Sequence, residues 1–104
     1  MGFFDLFKSS SSSNDALKEI INNGAFLVDV RSPAEFTSGS AKGAVNIPLN
    51  TINSKLKLFK GKSNIVVFCR SGNRSGQAKA ILERNGIKNV TNGGTVNKVS
   101  SLLN

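Results

Sequence analysis

The sequence predicts an α/β domain built on a largely parallel β-sheet, and three observations lead there. Short apolar runs that read as buried strands alternate with segments of helical period. Glycine, asparagine and proline stand between the two kinds of segment, where turns are needed. The chain has 104 residues, 38% of them hydrophobic, with a single cysteine. That is the size of one domain, which must hold its core without an internal disulfide.

Residues 1–13 are expected to be a flexible tail, because residues 9–13 are five consecutive serines with nothing to bury. Phe3, Phe4, Leu6 and Phe7 within it could instead form a short sticky turn that docks on a partner or a membrane surface. The stretch carries Asp5 and no leading positive region, so it does not read as a secretion signal. The folded domain is then expected over residues 14–104. Asn14 or Asp15 caps a first helix with Leu17, Ile20 and Ile21 on one face, and Asn22-Asn23-Gly24 ends it. Residues 26–30, Phe-Leu-Val-Asp-Val, form a nearly continuous apolar strand of the kind a parallel sheet buries on both faces. Ser32, Pro33 and Glu35 then spell a helix start, with Ser at the cap, Pro at the first position and Glu at the third. Gly39 stops that helix early.

Residues 44–47 read as a second strand, ended by Pro48. A helix capped by Asn50 or Thr51 is expected next, with Ile52, Leu56 and Phe59 on its inner stripe. Residues 65–68, Ile-Val-Val-Phe, are the strongest strand signal in the chain. A helix over residues 75–85 turns Ala78, Ile81 and Leu82 inward and stops at Gly86. A last strand over residues 88–91, a turn at Gly93-Gly94 and a final helix carrying Val96, Val99 and Leu103 complete the chain.

Composition removes several chemistries. There is no histidine, so imidazole base catalysis, Ser-His-Asp acyl transfer and Cys-His protease chemistry are excluded. One thiol without histidine cannot make the usual tetrahedral zinc site, and no cofactor is implied. No run approaches the roughly 18 apolar residues of a membrane span. Residues 1–41 carry a net −2 and residues 42–104 a net +10. The positive part can simply keep the protein soluble, or it can draw in small anionic substrates or an acidic partner protein. Nucleic acid fits poorly, because Tyr and Trp are absent and Phe is not interleaved with the basic residues.

The informative segment is Val66-Val67-Phe68-Cys69-Arg70-Ser71-Gly72-Asn73-Arg74-Ser75. It is a buried strand ending in cysteine, then a short loop, then a helix, and ligands of parallel sheets bind at the carboxyl ends of strands. A tight strand-to-helix turn aims backbone N–H groups inward, and the helix N-terminus adds positive potential. Gly72 supplies backbone freedom, and Arg70 and Arg74 supply charge. A thiol in such a place ionises at about 3.5 to 7.5 rather than about 8.5. Cys69 is therefore expected to be a nucleophile activated without imidazole. A lone cysteine at a strand end is more often a small buried hydrophobe, and the glycine and two arginines beside it argue against that.

Cys69-Arg70-Ser71-Gly72-Asn73-Arg74-Ser75 resembles the active-site loop of the rhodanese family of sulfurtransferases. The resemblance extends through Leu27-Val28-Asp29-Val30-Arg31 with Glu35-Phe36, Gly43-Ala44-Val45-Asn46-Ile47-Pro48-Leu49, and Asn92-Gly93-Gly94. Ser40 stands where the family often has histidine, and Thr95, Val96 and Asn97 follow the double glycine where it often has tryptophan. The resemblance implies a three-layer domain with helices on both faces of the sheet. A monomer is expected, and the lack of a secretion signal together with a free reactive thiol points to the cytoplasm. It implies that Cys69 carries a sulfane sulfur as a persulfide, taken from thiosulfate or another persulfide donor and passed to cyanide or a thiol. Arg70, Ser71, Gly72, Asn73, Arg74 and Ser75 would bind the anionic substrate, with Arg74 either facing it or bracing the loop. Asp29, Arg31 and Glu35 are read as structural support, an ion pair and a helix cap. Two other readings stay open. A rhodanese-like domain can serve as a non-catalytic binding module or protein-to-protein sulfur carrier, and some dual-specificity phosphatases share the scaffold. The phosphatase loop has five residues between Cys and Arg, whereas four separate Cys69 from Arg74.

Overall fold

A computed structural model of the protein describes residues 14–104. The tail expected over residues 1–13 lies outside the described residues. Among the described residues, 14–22 are helical (α1), Asn14 and Asp15 included. Strand β1 (Phe26–Asp29), helix α2 (Pro33–Thr37), strand β2 (Val45–Asn46), strand β3 (Ile65–Cys69), helix α3 (Asn73–Arg84), strand β4 (Val90–Thr95) and helix α4 (Val96–Leu102) follow. The four strands make one sheet in the order β2-β1-β3-β4, and every pairing is parallel.

Strand periodicity divides the core in two. Ile65, Val67 and Cys69 of β3 pack with Val28, Val30, Ile52, Phe59, Ala78 and Leu82, which places α3 on that face. Val66 and Phe68 pack with Leu17, Ile21, Leu27 and Val99, which places α1 and α4 on the other. The result is the expected three-layer α/β arrangement. Every residue of β3 is buried, as its unbroken apolar run requires.

Two elements differ from expectation. The segment after Pro48 forms two successive 3₁₀ helices, Leu49–Ser54 and Leu56–Phe59, in place of one α-helix. Its side chains compete with the helical pattern: Thr51 Oγ1 donates to the Pro48 carbonyl at 2.8 Å and Ser54 Oγ to the Thr51 carbonyl at 2.8 Å. No side chain caps the first of the two helices. Ile52 and Phe59 still reach the core, because the apolar spacing survives the tighter winding.

The second difference is β4, which runs through Gly93-Gly94 instead of turning there. The register against β3 shifts between Val67, opposite Asn92, and Phe68, opposite Gly94, so Gly93 is the extra residue of a bulge. A Cβ on Gly93 would stand 2.8 Å from Val66 Cγ1 and 2.9 Å from Val99 Cγ2. The missing side chain is what lets β4 pass between β3 and α4. Gly93→Ala is expected to overpack this spot and lower stability by about 1–3 kcal/mol, measured as a shifted urea midpoint. An unchanged midpoint would mean that the strand has room the geometry denies it.

Candidate active site

Cys69 is the last residue of β3, and its side chain points toward the α3 layer. It is only 1% exposed. The loop that follows turns sharply into α3 at Gly72, which caps the helix with φ +94°, a left-handed conformation that favours glycine. The turn brings the Gly72 N–H to 3.0 Å from Cys69 Sγ, where it donates. Ser75, wholly buried in the first turn of α3, holds its Oγ 3.5 Å from the same sulfur.

These contacts set the acidity of the thiol. Burial pushes Cys69 up, but the Ser75 hydroxyl and the amides of Ser75, Ser71 and Gly72 outweigh it and bring the thiol from 9.0 down to about 7. About half of it is then thiolate at neutral pH, without any imidazole. Hydroxyl and amide donors do most of this, and the two arginines that the sequence offered as helpers are arranged differently.

Arg74 is turned toward α2. Its Nη1 and Nη2 donate to Glu35 Oε1 at 2.7 Å and Oε2 at 3.0 Å in a two-pronged pair. Glu35 Oε1 also accepts from the Ser32 N–H at 3.0 Å and closes the capping box at the start of α2. The Arg74 guanidinium, with the Ser32 amide, holds the Glu35 carboxyl down at about 2. One carboxylate thus caps α2 and ties it to the far end of the cysteine loop.

Behind the loop lies a buried ion pair. Asp29, at the end of β1, is fully buried and accepts from Arg31 Nε, from Arg31 Nη2 at 2.7 Å and from the Arg31 amide at 3.0 Å. Ser40 Oγ donates to Asp29 Oδ2 at 2.7 Å, and Arg31 Nη2 reaches the Gly39 carbonyl at 2.7 Å. Asn46 Nδ2 donates to the carbonyls of Asp29 and Arg31 and fixes the chain on the other side. The pair holds together three segments that converge at the carboxyl edge of the sheet. It makes no contact with the sulfur.

Arg70 is exposed and lines a cleft of about 430 Å³ together with Arg31, Ser38, Ser40, Thr95 and Asn97. Thr95 is the register partner of Cys69, so this positive, hydroxyl-rich cleft sits beside the end of β3. Ser40 and Thr95 to Asn97, the two departures from the rhodanese pattern, fall together on its wall. Ser71 and Asn73 are exposed, and the Asn73 amide donates to Ser71 Oγ at 3.4 Å across the top of the turn. Of the seven residues expected at the site, the structure therefore puts Gly72 and Ser75 on the sulfur, Arg74 on Glu35 and Arg70 on the cleft.

Asn92 escaped the sequence reading as a site residue. Its Oδ1 accepts from Ser75 Oγ at 2.7 Å and from the Gly94 amide at 2.9 Å, and its Nδ2 donates to the Gly72 carbonyl at 3.1 Å. Its position directly before the double glycine was visible, but the partners lie across the bulge and no local pattern announces them.

Among the described residues no helix is long and apolar enough to cross a membrane, and no group of three or more potential ligands could hold a metal ion. The rhodanese-like domain model matches residues 13–96. The chain is 33% identical over 75 residues to thiosulfate sulfurtransferase PspE of Escherichia coli, covering 70% of this chain and 72% of that protein. It is 38% identical over 66 residues to a sulfurtransferase of Allochromatium vinosum, covering 64% of this chain and 62% of that one. Other curated relatives extend further beyond the match, the chain spanning 56% of one and 54% of another. Among solved structures, a rhodanese with anions from E. coli superposes with a TM-score of 0.65 at 32% identity, covering 72% of this chain and 91% of that one. The parallel sheet, the cysteine loop at its carboxyl edge and a family match over most of the length agree: the chain belongs to the rhodanese-like domain family.

Proposed function

We propose that the protein is a sulfurtransferase that carries a sulfane sulfur on Cys69. One observation supports this most: an acidified thiol at the end of a parallel strand whose sulfur meets an amide at 3.0 Å and a hydroxyl at 3.5 Å. In the first half-reaction the Cys69 thiolate attacks the outer sulfur of thiosulfate. A new S–S bond forms, the old one breaks, and its electron pair leaves on sulfite. The persulfide anion then sits where the loop amides and the Ser75 hydroxyl can stabilise it. In the second half-reaction cyanide or a thiolate attacks that outer sulfur, and Cys69 is regenerated as thiolate. A different persulfide can replace thiosulfate as donor with the same bookkeeping of bonds.

Arg70 and the positive cleft beside it would gather the anionic donor, while Arg74 and Glu35 keep the loop in shape. A chain that works as a free thiolate fits a reducing compartment such as the cytoplasm.

The half-reactions are separable, and so is their test. Initial rates of thiocyanate formation at varied thiosulfate and cyanide should give parallel double-reciprocal lines, the mark of a ping-pong path. Single-turnover loading of Cys69 by thiosulfate should rise with pH through a midpoint of about 7 and then level off, because only the thiolate attacks. Intersecting lines, or a midpoint at an ordinary thiol value near 9, would contradict the proposal.

A further inference from the structure

The hydrogen bonds around Cys69 close into a ring. Gly72 N–H donates to Sγ at 3.0 Å, the Gly72 carbonyl accepts from Asn92 Nδ2 at 3.1 Å, Asn92 Oδ1 accepts from Ser75 Oγ at 2.7 Å, and Ser75 Oγ returns to Sγ at 3.5 Å. The weak point of this ring is the serine. Ser75 has one hydroxyl hydrogen and two acceptors, Asn92 Oδ1 and the sulfur. Asn92 is oriented unambiguously, since its oxygen also accepts from the Gly94 amide at 2.9 Å and a flipped side chain would set NH₂ against that N–H. With a neutral thiol the ring is complete: S–H donates to Ser75 Oγ and Ser75 O–H donates to Asn92.

We propose that Asn92 is a positioning residue that acts through Ser75, parking the hydroxyl hydrogen while Cys69 is a thiol and releasing it to the sulfur when Cys69 ionises. When the sulfur loses its proton to solvent, a hydroxyl still aimed at Asn92 would turn its lone pairs on a negative charge. Rotation about the Ser75 Cβ–Oγ bond removes that repulsion and makes a charge-assisted bond to the sulfur. Asn92 tolerates the loss. Its oxygen keeps the Gly94 amide and lies at an exposed site where water can replace the hydroxyl. The Gly72 carbonyl is likewise not dependent on Asn92, because it also accepts from the Gly76 amide at 3.0 Å. The Ser75–Asn92 hydrogen bond is the one given up when the switch turns.

The charged groups on the elements packed around the ring are Arg70 of the loop, Arg74 with its partner Glu35, Asp29 with its partner Arg31, and Lys98 of α4, close to Gly94. Among the described residues none of them bonds Ser75 or Asn92. The balance of the hydroxyl therefore depends on Asn92 itself, which makes it testable by substitution. The inference deepens the reading of Cys69 as a sulfur carrier, yet ionisation is measurable whether or not sulfur is carried.

The experiment follows thiolate absorbance and alkylation rate against pH in the wild type, Asn92→Asp, Asn92→Ala, Ser75→Ala and the Ser75→Ala/Asn92→Asp double variant. Asn92→Asp turns the resting acceptor into a carboxylate that grips the hydroxyl harder. The midpoint of Cys69 should rise by about one pH unit, and the reaction rate below the midpoint should fall about tenfold while the high-pH plateau is kept. Asn92→Ala removes the acceptor and leaves the hydroxyl to the sulfur, so the midpoint should stand at or below that of the wild type. In a Ser75→Ala background the shift caused by Asn92→Asp should shrink to less than half. A midpoint that rises in Asn92→Ala would mean a plain brace and overturn the inference. So would an unmoved midpoint in Asn92→Asp, or a shift undiminished without the Ser75 hydroxyl. Failure of thiosulfate to load any variant, with the midpoints as expected, would instead strike only the sulfur-carrier reading.

Discussion

Replacing Arg31 with alanine is expected to lower the stability of the fold by about 3–5 kcal/mol, because it strands the charge of Asp29 in the interior. Asp29 is fully buried, and Arg31 supplies Nε, Nη2 and its backbone amide to the carboxylate. Only Ser40 and the backbone amide of residue 31 would remain as partners, both of them neutral. A small domain has about 5–15 kcal/mol in total, so the loss would be severe. Lysine should not restore it, since one ammonium cannot bond both carboxylate oxygens and the Gly39 carbonyl in the same plane. Urea unfolding measures the loss directly. Sulfur transfer per folded molecule should change less than stability does, because Arg31 hydrogen-bonds Asp29 and Gly39 and reaches the donor only as part of the cleft wall. A variant that keeps its stability but loses transfer would move Arg31 from support into the chemistry.

The second large effect concerns the nucleophile. Cys69→Ser should reduce thiocyanate formation by about three orders of magnitude or more, to the level of the uncatalysed reaction. The hydroxyl fits the sulfur's place and can accept from the Gly72 amide, so the fold should survive and the urea midpoint should stay near that of the wild type. A neutral hydroxyl is not ionised by donors that bring a thiol to about 7, and it cannot hold a sulfane sulfur as a disulfide-like bond. Turnover retained in this variant would place the nucleophile elsewhere.

The parts of the molecule that were legible in advance are those governed by neighbours in the chain. The run from Ile65 to Cys69 has no polar residue to expose, and the structure buries all of it. Ser32, Pro33 and Glu35 encode their capping box within four residues, and all its hydrogen bonds form. The segment after Pro48 differs from the helix its apolar stripe spells, because the Thr51 and Ser54 hydroxyls bond backbone carbonyls within its 3₁₀ turns. Gly93-Gly94 read as a turn, since only the presence of Val66 and Val99 on either side reveals why a strand needs glycine there.

The site shows the same division. The cysteine, the loop and the glycine at φ +94° could be anticipated from a strand running into a helix. Which residues touch could not. Glu35 and Arg74 lie 39 positions apart, and Ser75 and Asn92 lie 17 apart. Their pairing follows from the order of the strands, which brings α2, α3 and the end of β4 around one loop. Two arginines close to a cysteine in sequence suggested direct charge support, yet the fold commits one of them to a carboxylate.

The most direct test of the central claim is the intact mass of the reduced protein and of Cys69→Ser after incubation with thiosulfate, followed by a cyanide chase. The wild type should gain the mass of one sulfur atom, lose it to cyanide as thiocyanate, and do so while Cys69→Ser gains nothing. A sulfur adduct on both proteins, or on neither when thiosulfate or a low-molecular-weight persulfide is supplied, would contradict the assignment of Cys69 as the carrier.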